Sequence, residues 1–279
     1  MLIKKISAAV LCSVILTAGL SACGKTVDTS ENVKTTASDN AASANKGSSD
    51  DSSSDANSTA PQGDAEILNF TAPRQGEGIV TLKIKDYGDV KIKLFPDLCP
   101  KGVENFLGLV KQGYYDELIF HRIINNFMIQ GGDPKGNGTG GECIWGEKFD
   151  GGVSPNLCHA AGAVAYANSG STDTDGSQFY IVTGQVYSED DLRATEMQTG
   201  TTFSEQAREI YSTVGGTPWL DGNYTVFGQV IDGLDIIFKL QEVETDGYDK
   251  PYEAVVIESA TVEEYNGEDV KWYITDYTE

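Results

Sequence analysis

A break in composition near Asp64 decides where this chain can fold. Between Gly24 and about Asp64 the sequence is Ser, Thr, Asn, Asp, Ala and Gly with almost no large apolar residue. Such a segment cannot bury enough surface to offset the entropy lost on ordering it. Any core must therefore come from the roughly 215 residues that follow, a comfortable size for one domain. That part opens with Ile79-Val80-Thr81-Leu82-Lys83-Ile84, a turn at Asp86-Tyr87-Gly88-Asp89, and Val90-Lys91-Ile92-Lys93-Leu94. Apolar residues alternating with Lys or Thr predict a hairpin with one buried face. Pro100 suits the first turn of a helix, and Val103, Phe106, Leu107 and Val110 recur at helical spacing before Gly113. Short strands are expected around Leu118 to Ile124, Phe127 to Gln130, Ala163 to Ala167, Phe179 to Thr183, Thr225 to Val230 and Ala254 to Ser259. A second amphipathic helix carries Leu234, Ile237, Phe238 and Leu240. Many short strands with two main helices fit a mainly β fold, a closed antiparallel barrel, better than a βαβ array.

Ahead of the break, Lys4 and Lys5 precede an apolar run from Ile6 to Leu16 and then Leu20-Ser21-Ala22-Cys23. This reads as a secretory signal, too short for a membrane span, and the small residues before Cys23 resemble a bacterial lipobox. The expected division is a signal peptide at residues 1–22, a tether at 23–65 anchored by lipid on Cys23, and a folded domain at 66–279. The expected location is the extracytoplasmic face of a bacterial cell membrane. Net charge is −22 and the pI is near 4.3, which argues against nucleic acid and against attraction to anionic lipid. Cys12 leaves with the signal, and Cys99, Cys143 and Cys158 are an odd number whose spacing suits neither zinc nor a disulfide framework. With His121 and His159 as the two histidines, neither a metal site nor a Ser-His-Asp arrangement is apparent, and no cofactor is expected.

The chemistry concentrates in Phe120-His121-Arg122-Ile123-Ile124-Asn125-Asn126-Phe127-Met128-Ile129-Gln130-Gly131-Gly132-Asp133. If residues from Leu118 to Ile124 form one strand, Arg122 shares a face with Phe120, opposite Ile119, His121 and Ile123. A lone arginine in a strand more readily reads as an edge residue with its stem along apolar surface. Here Phe127, Met128 and Gln130 follow, and then two glycines where backbone can approach a ligand.

The stretch, together with GNGTGGECIWGEKF from Gly136, AYANSG from Ala165, GSQFYI from Gly176 and WLDGNYTVFGQV from Trp219, resembles the cyclophilin-type peptidyl-prolyl cis-trans isomerases. The resemblance covers about Ile79 to Ile257. It implies an antiparallel barrel capped by a helix at each end. Arg122 becomes the catalytic donor, with Phe127, Met128, Tyr180 and Leu220 lining a proline pocket. Gln130 holds a substrate carbonyl, Ala167 and Asn168 offer backbone to an extended peptide, and Gln178, Trp219 and Tyr224 complete the binding set. Taken singly, Phe127, Met128 and Leu220 read as core filling and Gln178 as an ordinary strand position. Tyr180 stands where the family commonly has Phe, and Tyr224 where His is frequent. The implied partners are proline-containing polypeptides and the inhibitor cyclosporin, and the implied work is folding of exported proteins. A non-catalytic proline-peptide-binding chaperone or adaptor on the same scaffold is the competing class. Gly136 to Gly141 looks like a phosphate loop but lacks Gly-Lys-Ser/Thr and reads as a structural turn. Compact family members have a short connection where this chain runs from about residue 185 to 216. Ser204 before Glu205, with Ala207, Ile210 and Tyr211, predicts one short capped helix in that insertion.

Overall fold

A computed structural model describes residues 63–277, and the expected signal peptide, Cys23 and nearly all of the expected tether lie outside them. The predicted hairpin forms as β1 (Gly78–Ile84) and β2 (Gly88–Leu94), paired antiparallel from Ile79 opposite Lys93 to Ile84 opposite Gly88. Its turn uses Asp86 at φ 67° and Gly88 at φ 123°, conformations that Asp tolerates and glycine adopts without a Cβ penalty. Helix α1 (Pro100–Lys111) starts on its proline and buries Val103, Phe106, Leu109 and Val110. It lies so close to the sheet that a Cβ on Gly102 would stand 2.4 Å from Cys99 Sγ and 3.2 Å from the Tyr166 ring.

The remaining strands are β3 (Arg122–Ile124), β4 (Met128–Gly131), β5 (Ala163–Tyr166), β6 (Phe179–Val182), β7 (Val226–Asp232) and β8 (Ile257–Glu264). All pair antiparallel in one eight-stranded sheet ordered β3-β4-β6-β5-β7-β2-β1-β8. The mainly β, antiparallel expectation holds, but the continuous ladder is an open, curled sheet rather than a closed barrel. Its two ends meet through an isolated bridge between Ile119 and Val256, just outside the end strands. The core lies between the sheet and α1, where Phe106 packs within 5.5 Å of the rings of Tyr115, Phe179 and Phe227.

Among the described residues there are four α-helices, where two main helices and one inserted helix were expected. α4 (Leu234–Leu240) is the second main helix, and the insertion holds two, α2 (Glu189–Thr199) and α3 (Glu205–Thr213). α2 has a full capping box between Ser188 and Asp191 and a left-handed Gly200 at its end. It escapes a periodicity reading because Leu192 is its one buried residue; capping and helix-forming residues hold it instead. α3 is capped by Ser204, as expected, and buries Ala207, Ile210 and Tyr211. These meet Ile67, Cys158, Leu192 and Phe203 in a second apolar cluster. Gln206 takes the Ile67 N–H at 2.8 Å and donates to the Ile67 carbonyl at 3.2 Å, so the segment ahead of β1 is stapled to the insertion.

Candidate active site

The alternation of side chains divides β3, β4 and β6 between two faces. Ile123, Ile129, Phe179 and Ile181 enter the main core, while Ile124, Met128, Tyr180 and Val182 group on the other side. Cross-strand register places Arg122 opposite Gln130, and Gln130 opposite Tyr180. Phe120 does not share the face of Arg122 as expected; it is buried in the main core against Phe179. The reason is a change of partner. The Phe120 N–H donates to the Val255 carbonyl and the next N–H, of His121, to Gln130, so the alternation slips where the chain changes neighbours.

On the second face a cavity of about 210 Å³ is lined by Arg122, Phe127, Met128, Gln130, Ala167, Asn168, Tyr180, Leu220 and Tyr224. These residues span a hundred positions of sequence and are all among those singled out above. Larger cavities, of about 650, 580 and 270 Å³, lie elsewhere among the described residues. Size therefore does not choose the site; the meeting of a guanidinium with an apolar wall does. Two singled-out residues stand outside the lining. Gln178 accepts from Gln130 Nε2 at 2.9 Å and donates to the carbonyls of Gly138 and Gly140, so it orients Gln130 and ties down the glycine loop. That loop is a structural turn: the Asp133 carboxylate takes the backbone N–H groups of Lys135, Asn137 and Gly138 at 2.7 to 3.0 Å. Trp219 sits on the rim, its ring 5.8 Å from that of Phe127.

Arg122 has a partner that no motif announced. Its Nε donates to Asp249 Oδ2 at 3.4 Å, and the Asp249 carbonyl accepts the Ile123 N–H at 2.8 Å. Asp249 lies 127 residues away at φ 63°. The Ala167 N–H is spent on the Gln178 carbonyl at 3.0 Å, so that part of its backbone is unavailable to a peptide.

The model of the family described as cyclophilin type peptidyl-prolyl cis-trans isomerase/CLD matches residues 79–262. The chain belongs to this family. A Staphylococcus aureus (strain COL) protein assigned as a peptidyl-prolyl cis-trans isomerase is 44% identical over 191 residues, 68% of this chain and 94% of its own. The crystal structure of a Cryptosporidium parvum cyclophilin type isomerase, obtained in the presence of the dipeptide Ala-Pro, aligns with TM-score 0.53 and 34% identity. It covers 67% of this chain and 99% of that one.

This cyclophilin departs from the commoner pattern at the two tyrosines. Tyr180 and Tyr224 meet edge to face with centroids 6.0 Å apart, and the Tyr180 hydroxyl is buried with no hydrogen-bond partner among the described residues. Burial pushes its phenol well above the ordinary range, so the ring stays neutral. Beside the groove, Thr225 Oγ1 lies 2.7 Å from the Gly152 carbonyl and 2.8 Å from Asp175 Oδ2. One hydroxyl proton cannot serve both acceptors. A protonated Asp175 resolves this by donating to Thr225, which donates onward to Gly152. Consistently, burial pushes the Asp175 carboxyl up to about 7.

Proposed function

We propose that this cyclophilin catalyses X-Pro isomerisation in exported polypeptides with Arg122 as its catalytic donor, working from a lipid anchor at Cys23. The observation that carries the catalytic part is the single guanidinium on the wall of a cavity of about 210 Å³, facing an apolar side made by Phe127, Met128, Ala167 and Leu220. A prolyl amide is trapped by a barrier of about 18 to 20 kcal/mol because resonance shares the nitrogen lone pair with the carbonyl. Twisting the bond returns that lone pair to nitrogen, and a donor that favours the twisted state lowers the barrier. Arginine suits this because it donates without losing its proton. Phe127, Met128, Leu220 and the two tyrosines seat the ring, and Gln130, oriented by Gln178, holds a substrate carbonyl. Raising an exchange rate from about 0.01 to about 1000 per second needs about 7 kcal/mol of differential stabilisation, a scale that one charged donor and a fixed ring can reach.

Arg122→Ala is expected to lower turnover on a proline-containing peptide at least about a hundredfold, about 2.7 kcal/mol, with the fold intact by circular dichroism. Wild-type turnover in the folded variant would remove Arg122 from the mechanism. A wild-type protein that binds the peptide without turnover would place it with the non-catalytic binders. Cyclosporin, proposed to occupy the same pocket against Trp219, should suppress turnover in the same assay; full activity at micromolar inhibitor would exclude it.

A further inference from the structure

The insertion gives no side chain to the lining of the cavity, yet it reaches that wall from behind. Tyr211, on α3, is fully buried and its phenol donates to Asp221 Oδ2 at 2.6 Å. Asp221 Oδ1 meets His159 Nδ1 at 2.7 Å and accepts the His159 backbone N–H at 2.9 Å. All three residues are at most 2% exposed. Asp221 directly follows the 3-10 turn Pro218–Leu220, which presents Trp219 to the rim and Leu220 to the cavity. The His159 ring lies nearly parallel to that of Tyr180 at 6.1 Å and edge-on to that of Tyr224 at 6.4 Å. Tyr187, at the start of the insertion, packs its ring 6.1 Å from that of Trp219.

A buried carboxylate is costly unless its lone pairs are met, and removing one donor leaves the cost in place. Burial, with the charge of Asp221 beside it, pushes the Tyr211 phenol well above its ordinary range, so it remains a donor. The turn carrying Trp219 and Leu220 is thus fixed at its far end by one bond from the insertion and two from the segment leading into β5.

We propose that Tyr211 and His159 are positioning residues for the prolyl pocket: by clamping Asp221 they hold the Pro218–Leu220 turn, and through it the insertion sets the width of the pocket and which residues are accepted beside proline. This rests on the assignment of the pocket above but is read through binding, so the two fail separately.

The test uses the full chain in detergent and Tyr211→Phe, which keeps the ring and its packing 5.6 Å from Phe203. Exchange NMR on proline peptides with a small or a bulky preceding residue yields affinity and on-enzyme exchange rate separately. The Trp219 indole N–H signal, identified by its loss in Trp219→Phe, reports the turn. The expected result is a threefold to tenfold weaker Kd, unequal between the two peptides and larger than any fall in exchange rate, with the Trp219 signal displaced. Asp221→Asn should move both readouts the same way and further. Unchanged affinity and an unmoved Trp219 signal would overturn the proposal. So would an equal loss for both peptides with a lower Tm and an unmoved signal, which would make Tyr211 a residue that only holds the fold. Full exchange by Arg122→Ala in the same experiment would strike the catalytic role of Arg122 while leaving the positioning result standing.

Discussion

Arg122 is held at Nε, while its two terminal amino groups have no partner among the described residues. Asp249 therefore fixes the rotamer and leaves the donating end open. Both side chains are more than a third exposed, at 42% and 44%, and pairs of that kind contribute about 0 to 1 kcal/mol. Asp249→Ala should accordingly lower kcat/KM by no more than about fivefold, and Asp249→Asn, which keeps an acceptor, by less. A loss as large as that of Arg122→Ala would make Asp249 part of the chemistry. Asp175 gives a pH prediction. Its folded value of about 7 lies above the ordinary 3.8, so the folded state holds the proton more tightly. The stability it confers is complete below about pH 4 and is lost as pH rises to about 7, by at most about 4 kcal/mol. Asp175→Asn can donate to Thr225 as the protonated acid does but cannot ionise. Its Tm should gain on the wild type between pH 4 and 7 and keep a constant lead above; parallel curves would show that Asp175 does not titrate there.

At the scale of elements, α1 was legible because Val103, Phe106 and Val110 repeat on one face, whereas α2 was hidden because its surface is almost wholly solvated. The larger surprise is the segment ahead of β1, too short and irregular to carry a period. Ile67 is 3% exposed within the cluster of Phe203, Ala207 and Tyr211. Ile67→Ala should cost about 2 to 5 kcal/mol, the usual range for emptying a packed aliphatic site. Thermal or urea unfolding measures it; a cost under about 1 kcal/mol would mean that the segment is only draped on the surface. The same contacts make the insertion part of the fold. Replacing residues 185–216 by a short linker removes most of the partners of Ile67, leaving it exposed, and removes the Tyr211 clamp, so stability should fall and the ranking of substrates should change with it.

At the scale of the whole molecule, the proposed anchor and the folded domain are separate physical problems. The acidic surface implied by a net charge of −22 gives no attraction to anionic lipid, and no helix among the described residues is long and apolar enough to cross a membrane. Stable anchoring would then depend on acyl chains at Cys23, and two or more are needed where one binds only weakly. Cys23→Ser should move the protein from the membrane pellet to the soluble fraction; a variant that still pellets would exclude this anchor. Within the fold, the hairpin, α1 and α4 were legible from the sequence, and the set of side chains that line the cavity was implied by the family resemblance its blocks carry. The elements follow from local periodicity, and the resemblance rests on short blocks whose residues lie near each other along the chain. Tertiary structure alone decided what holds that set in place: Asp249 on Arg122 across 127 positions, Tyr211 and His159 on Asp221, Ile67 against the insertion, and the slip that takes Phe120 off the face of Arg122. Apart from the Tyr211–Asp221 bond, which spans ten positions, these join segments distant in sequence, and all are made by single polar or apolar residues with no periodicity. Only the pairing of strands and the docking of helices brings their atoms within bonding reach.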